Sequence, residues 1–341
     1  MRVLMLSQLF YPHVGGIERH LLELSKLLLG RGYKISIVTG RYKKSSKLEE
    51  KVFGVDVFRM FYPRIKYFGL VYIWLGLLKY TDVIRQADII HIHDVFIWFL
   101  PYKFLFPKKR VYITFHGYES FPVKLNSILL RKLAEFFCTG SLCVGNFMSK
   151  WYGTCPSLIT YGAVDTTEFK VLDRKKYHYD AIFSSRLDKQ TGISVYAQAV
   201  SGLIKKKNKF RLLVLGDGPY KKKIKNICDT KGFVCDPSIY FNESKYAFVS
   251  RYLAIFEAFA CKKLVFAVCD NPLKEDYLRM TPFANWINIS ADSKDLVRKV
   301  EYFLRNPERA RKMIENAYAW SKHKTWKEMS DIYIQLWEEN Q

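Results

Sequence analysis

Residues 249–268 read VSRYLAIFEAFACKKLVFAV, and their reading decides the fold. The stretch opens on a polar turn, continues as an apolar helix and closes on an apolar run the length of one buried strand. A helix that is apolar nearly all round lies inside a protein. One carboxylate, Glu257, interrupts it, with Phe256, Ala258 and Phe259 alongside and lysines at 262 and 263. An unpaired buried charge is costly, so Glu257 requires donors. Either it reaches water or pairs with Lys262 or Lys263 on the helix face, or it accepts from the hydroxyls of a ligand at the mouth of a cleft.

The same alternation extends outward. Apolar runs at 3–7, 35–39, 55–60, 89–93, 111–115, 142–144 and 158–160 read as strands, and 17–29 has helical spacing. Apolar strands separated by helices imply a parallel sheet covered on both faces. Residues 161–179, YGAVDTTEFKVLDRKKYHY, are polar and turn-rich and read as a linker. A second alternation follows, with strands at 181–185 and 210–215 and helices at 192–205 and 220–230. After 249–268 come a strand at 286–289, helices at 293–304 and 308–321, and an amphipathic helix at 326–339. The expected class is α/β, with two Rossmann-like domains facing a central cleft. The domains span 1–165 and 166–322, and 323–341 form a closing helix that packs on the first. Ligands of such sheets sit beyond the carboxyl ends of the strands.

A chain of 341 residues suits two domains. Its net charge of +23 predicts attraction to polyanions such as anionic lipid or phosphorylated ligands. No zinc-finger, zipper or RNA-recognition pattern accompanies the lysines, which argues against a specific nucleic-acid partner. Seven cysteines without CxxC or metal spacing read as reduced thiols in a cytoplasmic protein. Residues 1–10 read as a strand rather than a signal peptide, and no run reaches the ~18 apolar residues of a membrane span. Two aromatic stretches bordered by Lys and Arg, 67–80 and 95–110, suit either packing helices or a peripheral surface on the inner face of the cytoplasmic membrane.

Several short motifs carry chemistry. Gly15 and Gly16 precede a helix, where backbone N–H groups and the helix dipole favour an anion. The pattern is not GxGxxG, so no dinucleotide cofactor is expected. His116 ends the strand VYITF, at 111–115, where cleft residues lie. His91 and His93 alternate along IIHIHD and share one strand face, in a structural or cleft-rim role. Arg186, in SRLDKQTG at 185–192, follows a strand and suits a phosphate. In LGDGP at 215–219, the glycines permit close backbone approach to a base or ribose. There is no DxD pair to hold a divalent metal under a nucleotide diphosphate, so no metal is expected.

In order along the chain stand GGIE, TFHG, YGAVDTTEF, SRLDKQTG, LGDGP, FEAFACKKLVFA and a late Trp326. Over essentially its full length the chain resembles the retaining glycosyltransferases of GT-B fold, family four (glycosyl transferases group 1). The resemblance implies a nucleotide-sugar donor, UDP- or GDP-linked, held mainly by the C-terminal domain. It implies a glycan or lipid-linked acceptor held mainly by the N-terminal domain. It places Gly15 and Gly16 at the donor phosphates and His116 beside the transferred sugar. It has Arg186 and a lysine five positions later clamp the diphosphate, and Glu257 bind ribose hydroxyls. Gly216, Pro219, Tyr252 and Leu253 complete the donor set. The implied reaction is retaining hexosyl transfer in polysaccharide or glycoconjugate biosynthesis, with no metal and no cofactor. Arg186, Lys189 and the N–H groups at Gly15–Gly16 would stabilise the leaving diphosphate.

The chain also departs from the family pattern. The first Glu of the family's Glu-x7-Glu pair is Val249, and its glycine-rich turn is Ser250–Arg251–Tyr252. The clamp lysine is Thr191, with Lys189 nearby as its substitute. These departures leave a second reading open: a catalytically weakened GT-B protein that binds nucleotide or scaffolds glycan assembly.

Overall fold

Runs of buried aliphatic residues build two parallel sheets, each in its own unit. The computed structural model describes residues 1–61, 68–172, 176–206 and 209–339. Tyr67 of the first aromatic stretch and residues 173–175 of the expected linker lie outside the described residues. One unit comprises Met1–Tyr161 with Trp326–Gln341, the other Gly162–Thr325.

The first unit runs β1 (Arg2–Ser7), α1 (Gly16–Gly30), β2 (Lys34–Gly40), β3 (Glu49–Val52), β4 (Val55–Met60), α2 (Gly69–Leu78), α3 (Thr81–Gln86) and β5 (Ile89–His93). It continues with α4 (Phe96–Leu105), β6 (Arg110–Phe115), α5 (Leu125–Phe137), β7 (Gly140–Val144), α6 (Phe147–Tyr152) and β8 (Leu158–Thr160). Its sheet has the order β3-β4-β2-β1-β5-β6-β7-β8. All its pairings are parallel except β3 with β4. The sequence reading lacked β3 because its EEKV has no apolar run; a charged edge strand guards an exposed sheet edge.

The second unit runs β9 (Tyr179–Ser184), α7 (Ile193–Lys205), β10 (Leu212–Leu215), α8 (Lys221–Ile224), β11 (Asp229–Gly232), α9 (Ser238–Asn242) and β12 (Ser244–Phe248). Then come α10 (Tyr252–Ala260), β13 (Leu264–Val268), α11 (Pro272–Arg279), β14 (Ile287–Ser290), α12 (Ser293–Arg305) and α13 (Pro307–Ser321). Its sheet has the order β11-β10-β9-β12-β13-β14, parallel throughout. The single helix expected over 220–230 is corrected: α8 ends at Ile224 and the chain turns into the polar edge strand β11. The stretch 249–268 folds as read, with α10 buried along nearly its whole length and β13 an interior strand between β12 and β14.

Strand order reverses between β1 and β5 in one sheet and between β9 and β12 in the other. Ligands of doubly wound sheets bind at such switch points, outside the carboxyl ends of the strands. The segments that emerge there are those after Ser7, His93, Ser184 and Phe248.

A last helix, α14 (Trp326–Glu338), belongs to the first unit. It buries Trp326, Met329, Ser330, Tyr333, Leu336 and Trp337, one helical face, and packs on α1, β7 and β8. Buried hydrogen bonds fix its register. Trp337 Nε1–H donates to His91 Nδ1 at 2.9 Å, and His91 Nε2 lies 2.8 Å from Thr114 Oγ1. Tyr333 OH lies 2.9 Å from both Thr114 Oγ1 and His20 Nε2. Indole only donates, so His91 Nδ1 accepts and its proton sits on Nε2, directed at Thr114. Replacing Tyr333 with Phe leaves Thr114 and His20 each short of a buried partner. Tyr333→Phe is expected to cost about 1–3 kcal/mol; an unchanged urea midpoint would contradict this account of how α14 is held.

Candidate active site

In the first unit, histidines from three elements gather beyond β5 and β6. His20 comes from α1, His91 and His93 from β5, and His116 follows β6. His93 Nδ1 is 2.8 Å from His116 Nε2, and the His20 and His116 ring centres are 4.9 Å apart. Burial holds His91 and His116 down to about 3 and His20 and His93 well below the usual imidazole range. All four are therefore neutral at physiological pH. His93 Nε2 is buried without a hydrogen-bond partner among the described residues. A buried lone pair costs less than a buried orphan N–H, so His93 carries its proton on Nδ1 and donates to His116. His116 then keeps its own proton on Nδ1. Its backbone N–H donates to Asp94 Oδ1 at 3.0 Å. Asp94 has a left-handed backbone, φ 64°, which Asp tolerates better than most residues. The protein packed around Asp94 raises its carboxyl to about 6 against the pull of Arg131 and the His116 N–H. Its side chain is exposed.

Gly15 caps α1 and Gly16 begins it. A β-carbon on Gly15 would lie 2.3 Å from Glu18 Oε2. Glu18 also meets His13 Nδ1 at 2.7 Å. The helix start expected to face donor phosphates is thus attended by the chain's own carboxylate, as in half of a capping box. An arriving anion must displace Glu18.

In the second unit the loops after β9 and β12 meet at the switch point. Thr191 is buried; its hydroxyl donates to the Arg186 and Asp188 carbonyls at 2.7 and 2.9 Å, and its N–H donates to Asp188 Oδ1. This ties the loop tightly while the Arg186 side chain stays 64% exposed, 3.3 Å from Asp188 Oδ2. Lys189 is exposed too. Across the switch point, Arg251 donates to Gln190 Oε1 at 3.0 Å. Ser250 is buried between Tyr196 OH, 2.7 Å away, and the Val268 N–H, which donates to it.

The glycines of LGDGP have a different neighbour from the ligand the sequence suggested. β-Carbons on Gly216 and Gly218 would lie 1.9 Å from the Ser185 carbonyl oxygen and 2.6 Å from that of Leu187. With φ of 134° and 152°, both positions demand glycine. Their close approach is to the Arg186 loop itself. Pro219 is exposed beside them.

Tyr252 is buried. Its ring stacks on Tyr277 with centres 4.0 Å apart, and its N–H donates to the Tyr277 hydroxyl. Leu253 lies against Gly162. Glu257 is buried on α10. Lys262, one expected partner, pairs instead with Glu315 at 2.8 Å. Lys263 is buried, with its ammonium over the Tyr177 ring. Burial pushes the Cys261 thiol up to about 12, with Lys263 opposing the rise and Glu257 adding to it. Val249, where a second carboxylate was expected, is buried, and its N–H donates to the Phe266 carbonyl. Sequence reasoning missed His20 and Tyr333, and it missed Lys274, whose amine lies beside Gly192. Among the described residues no three His, Cys, Asp or Glu side chains form a metal-binding group.

Comparison with known proteins agrees with this architecture. Residues 14–161 match the sequence model of Glycosyltransferase Family 4. A human phosphatidylinositol N-acetylglucosaminyltransferase subunit is 28% identical over 239 residues, covering 64% of this chain and 48% of the human protein. Its Arabidopsis thaliana counterpart is 23% identical over 362 residues, covering 94% of this chain and 79% of that one. The match therefore spans about half of the human relative's length. Sucrose-phosphate synthase from Thermosynechococcus elongatus superposes with a TM-score of 0.77 at 14% identity, covering 99% of this chain and 98% of that one. Anabaena HepE, solved with UDP and glucose, gives 0.72 at 14% identity over 97% of each chain. The fold is that of the GT-B glycosyltransferases, and within it residues 14–161 match the family model.

Proposed function

We propose that this glycosyltransferase moves a hexosyl group, with retention at the anomeric carbon, from a UDP- or GDP-linked sugar to a lipid-linked or glycan acceptor. The observation that carries the proposal is the cationic loop pair at the switch point of the second sheet, where Arg186 stays exposed on a loop held rigid by Thr191 and Asp188. The barrier in such a transfer is departure of a nucleoside diphosphate from an oxocarbenium-like carbon. A guanidinium fixed beside the diphosphate stabilises the charge that develops there, and no metal need supply it. Neutral His116 can offer a sugar hydroxyl a hydrogen bond rather than a charge. In this reading the second unit holds the donor, Glu257 serves the ribose, and the leaving phosphate takes the acceptor's proton. UDP in HepE favours uridine as the base.

The relatives' names point to phosphatidylinositol as an acceptor class, and the first unit offers a surface that suits a lipid. Helix α2 buries Gly69, Ile73 and Leu77 but exposes Val71, Tyr72, Leu75 and Leu78. Helix α4 packs between α2 and α5, and α5 exposes Leu125, Leu129 and Phe136. Lys79, Lys108, Lys124 and Lys132 are exposed around them. Apolar rings with lysines at their border fit an anionic bilayer met from its cytoplasmic side. Among the described residues no helix is long and apolar enough to cross a membrane.

Diphosphate release measured over a panel of UDP- and GDP-sugars tests the chemistry. Arg186→Ala should lower kcat about 10²–10³-fold, as loss of one such donor does elsewhere; turnover near wild type rejects the assignment. Wild-type binding of UDP without turnover would favour the catalytically silent reading that Val249 and Thr191 leave open. For the surface, the protein should co-sediment with phosphatidylserine vesicles at low salt, and Leu75→Glu with Leu129→Glu should release it. Failure of the wild type to bind removes the membrane proposal.

A further inference from the structure

Lys274, on α11, is 1% exposed, and its Nζ has no hydrogen-bond partner among the described residues. Asp270 Oδ1 is 3.9 Å away, beyond hydrogen-bond reach. The amine lies 3.2 Å from where a β-carbon on Gly192 would stand. Gly192 is the N-cap of α7, a helix of 13 residues. A cation there faces the positive end of the helix dipole and the N–H groups of the first turn, which lack intrahelical acceptors. Burial, the missing hydrogen bond and the dipole all work against it. An anion bound beside the amine would offset them, accepting from the ammonium and from the helix start together.

We propose that Lys274 is a phosphate-binding residue that acts with Arg186 and the first turn of α7 on the diphosphate of a nucleotide ligand. It supplies from α11 the cation that the sequence lacks at Thr191, the residue adjoining Gly192. Lys189, the substitute expected from sequence, is exposed. The proposal rests on the nucleotide-sugar reading above and adds a residue to it. The groups facing the amine are Asp270 and Cys269 from the turn before α11, Arg251 from the turn before α10, and Asp188 from the turn before α7. Their summed effect leaves burial dominant, and the amine falls to about 8.

Because the unfolded lysine titrates at 10.5 and the folded one lower, the unfolded chain binds the extra proton between those values. Ligand-free stability should therefore rise as pH climbs from about 8 towards 10. A bound diphosphate draws the proton back, so UDP affinity should fall over the same range.

Calorimetry with UDP, GDP and uridine on wild type and Lys274→Met tests the proposal, with melting curves taken alongside. The expected result is a loss of UDP affinity by about tenfold or more, with uridine binding unchanged. The ligand-free Met variant should melt no lower than wild type, and the fall in UDP affinity above pH 8 should vanish in it. UDP affinity within about twofold of wild type overturns the role, as does an equal loss for uridine, which marks a structural residue. If Lys274→Met does not fold, a wild-type UDP affinity flat from pH 7 to 10 overturns it. Wild type binding neither UDP nor GDP removes the nucleotide reading and this inference together.

Discussion

The second unit turns on a contact with no room in it. A β-carbon on Gly216 would sit 1.9 Å from the Ser185 carbonyl oxygen, and one on Gly218 2.6 Å from that of Leu187. The LGDGP turn is therefore a mould for the loop that follows β9. Leu187 N–H donates to the Asp217 carbonyl and Tyr220 N–H donates to that of Leu187, closing the mould from both sides. Thr191 and Asp188 then fold the loop back on itself. What remains outside is Arg186, a long cation on a short rigid base. The proposed charge-stabilising role of Arg186 would require a base positioned in this way.

The first unit solves a related problem by withholding charge. Four buried histidines would repel one another as cations, and burial keeps them neutral. Neutral rings can pass hydrogen bonds in sequence, which is how His91, Thr114, Tyr333 and His20 tie the last helix to strands laid down early in the chain. Only His116, at the end of this array, keeps part of its surface. Its orientation is inherited through His93, so the closing helix and the half-buried His116 imidazole share one polar core.

Much of this was legible in the sequence, because buried parallel strands are written as continuous apolar runs that turn residues bracket. The central strands of the first sheet and the helix that carries Glu257 read directly, whereas β12, at the centre of the second sheet, was not assigned from the sequence. The edges did not: EEKV and DTKG are strands by position, and an edge strand is polar for the same reason that it resists aggregation. Gly216 and Gly218 were legible as glycines that something must approach, yet whether backbone or ligand approaches is a tertiary fact. His20 and Tyr333 stand 313 residues apart, and neither carries a local signal of the other. Lys274 looks in sequence like any lysine of an amphipathic helix. Only its burial and its neighbour Gly192 set it apart.

The missing carboxylate and the buried lysine are better understood together than as separate departures. Val249 is packed into the end of β12 and brings no charge to the turn that follows. That turn instead carries Arg251, which bonds the neutral amide of Gln190 and lies over the Tyr277 ring. A glutamate at 249 would add a negative charge near the loops that hold Arg186, Arg251 and Lys274. It would offset part of their field and compete with a phosphate for them. With valine there, Asp188 and Asp270 are the acids that act on the buried amine from these loops. The local balance shifts toward cations at the start of α7, where the helix dipole already favours an anion. On the proposed reading, binding in this unit would lean on phosphate more than on sugar hydroxyls, since Val249 cannot hydrogen-bond a hydroxyl through its side chain.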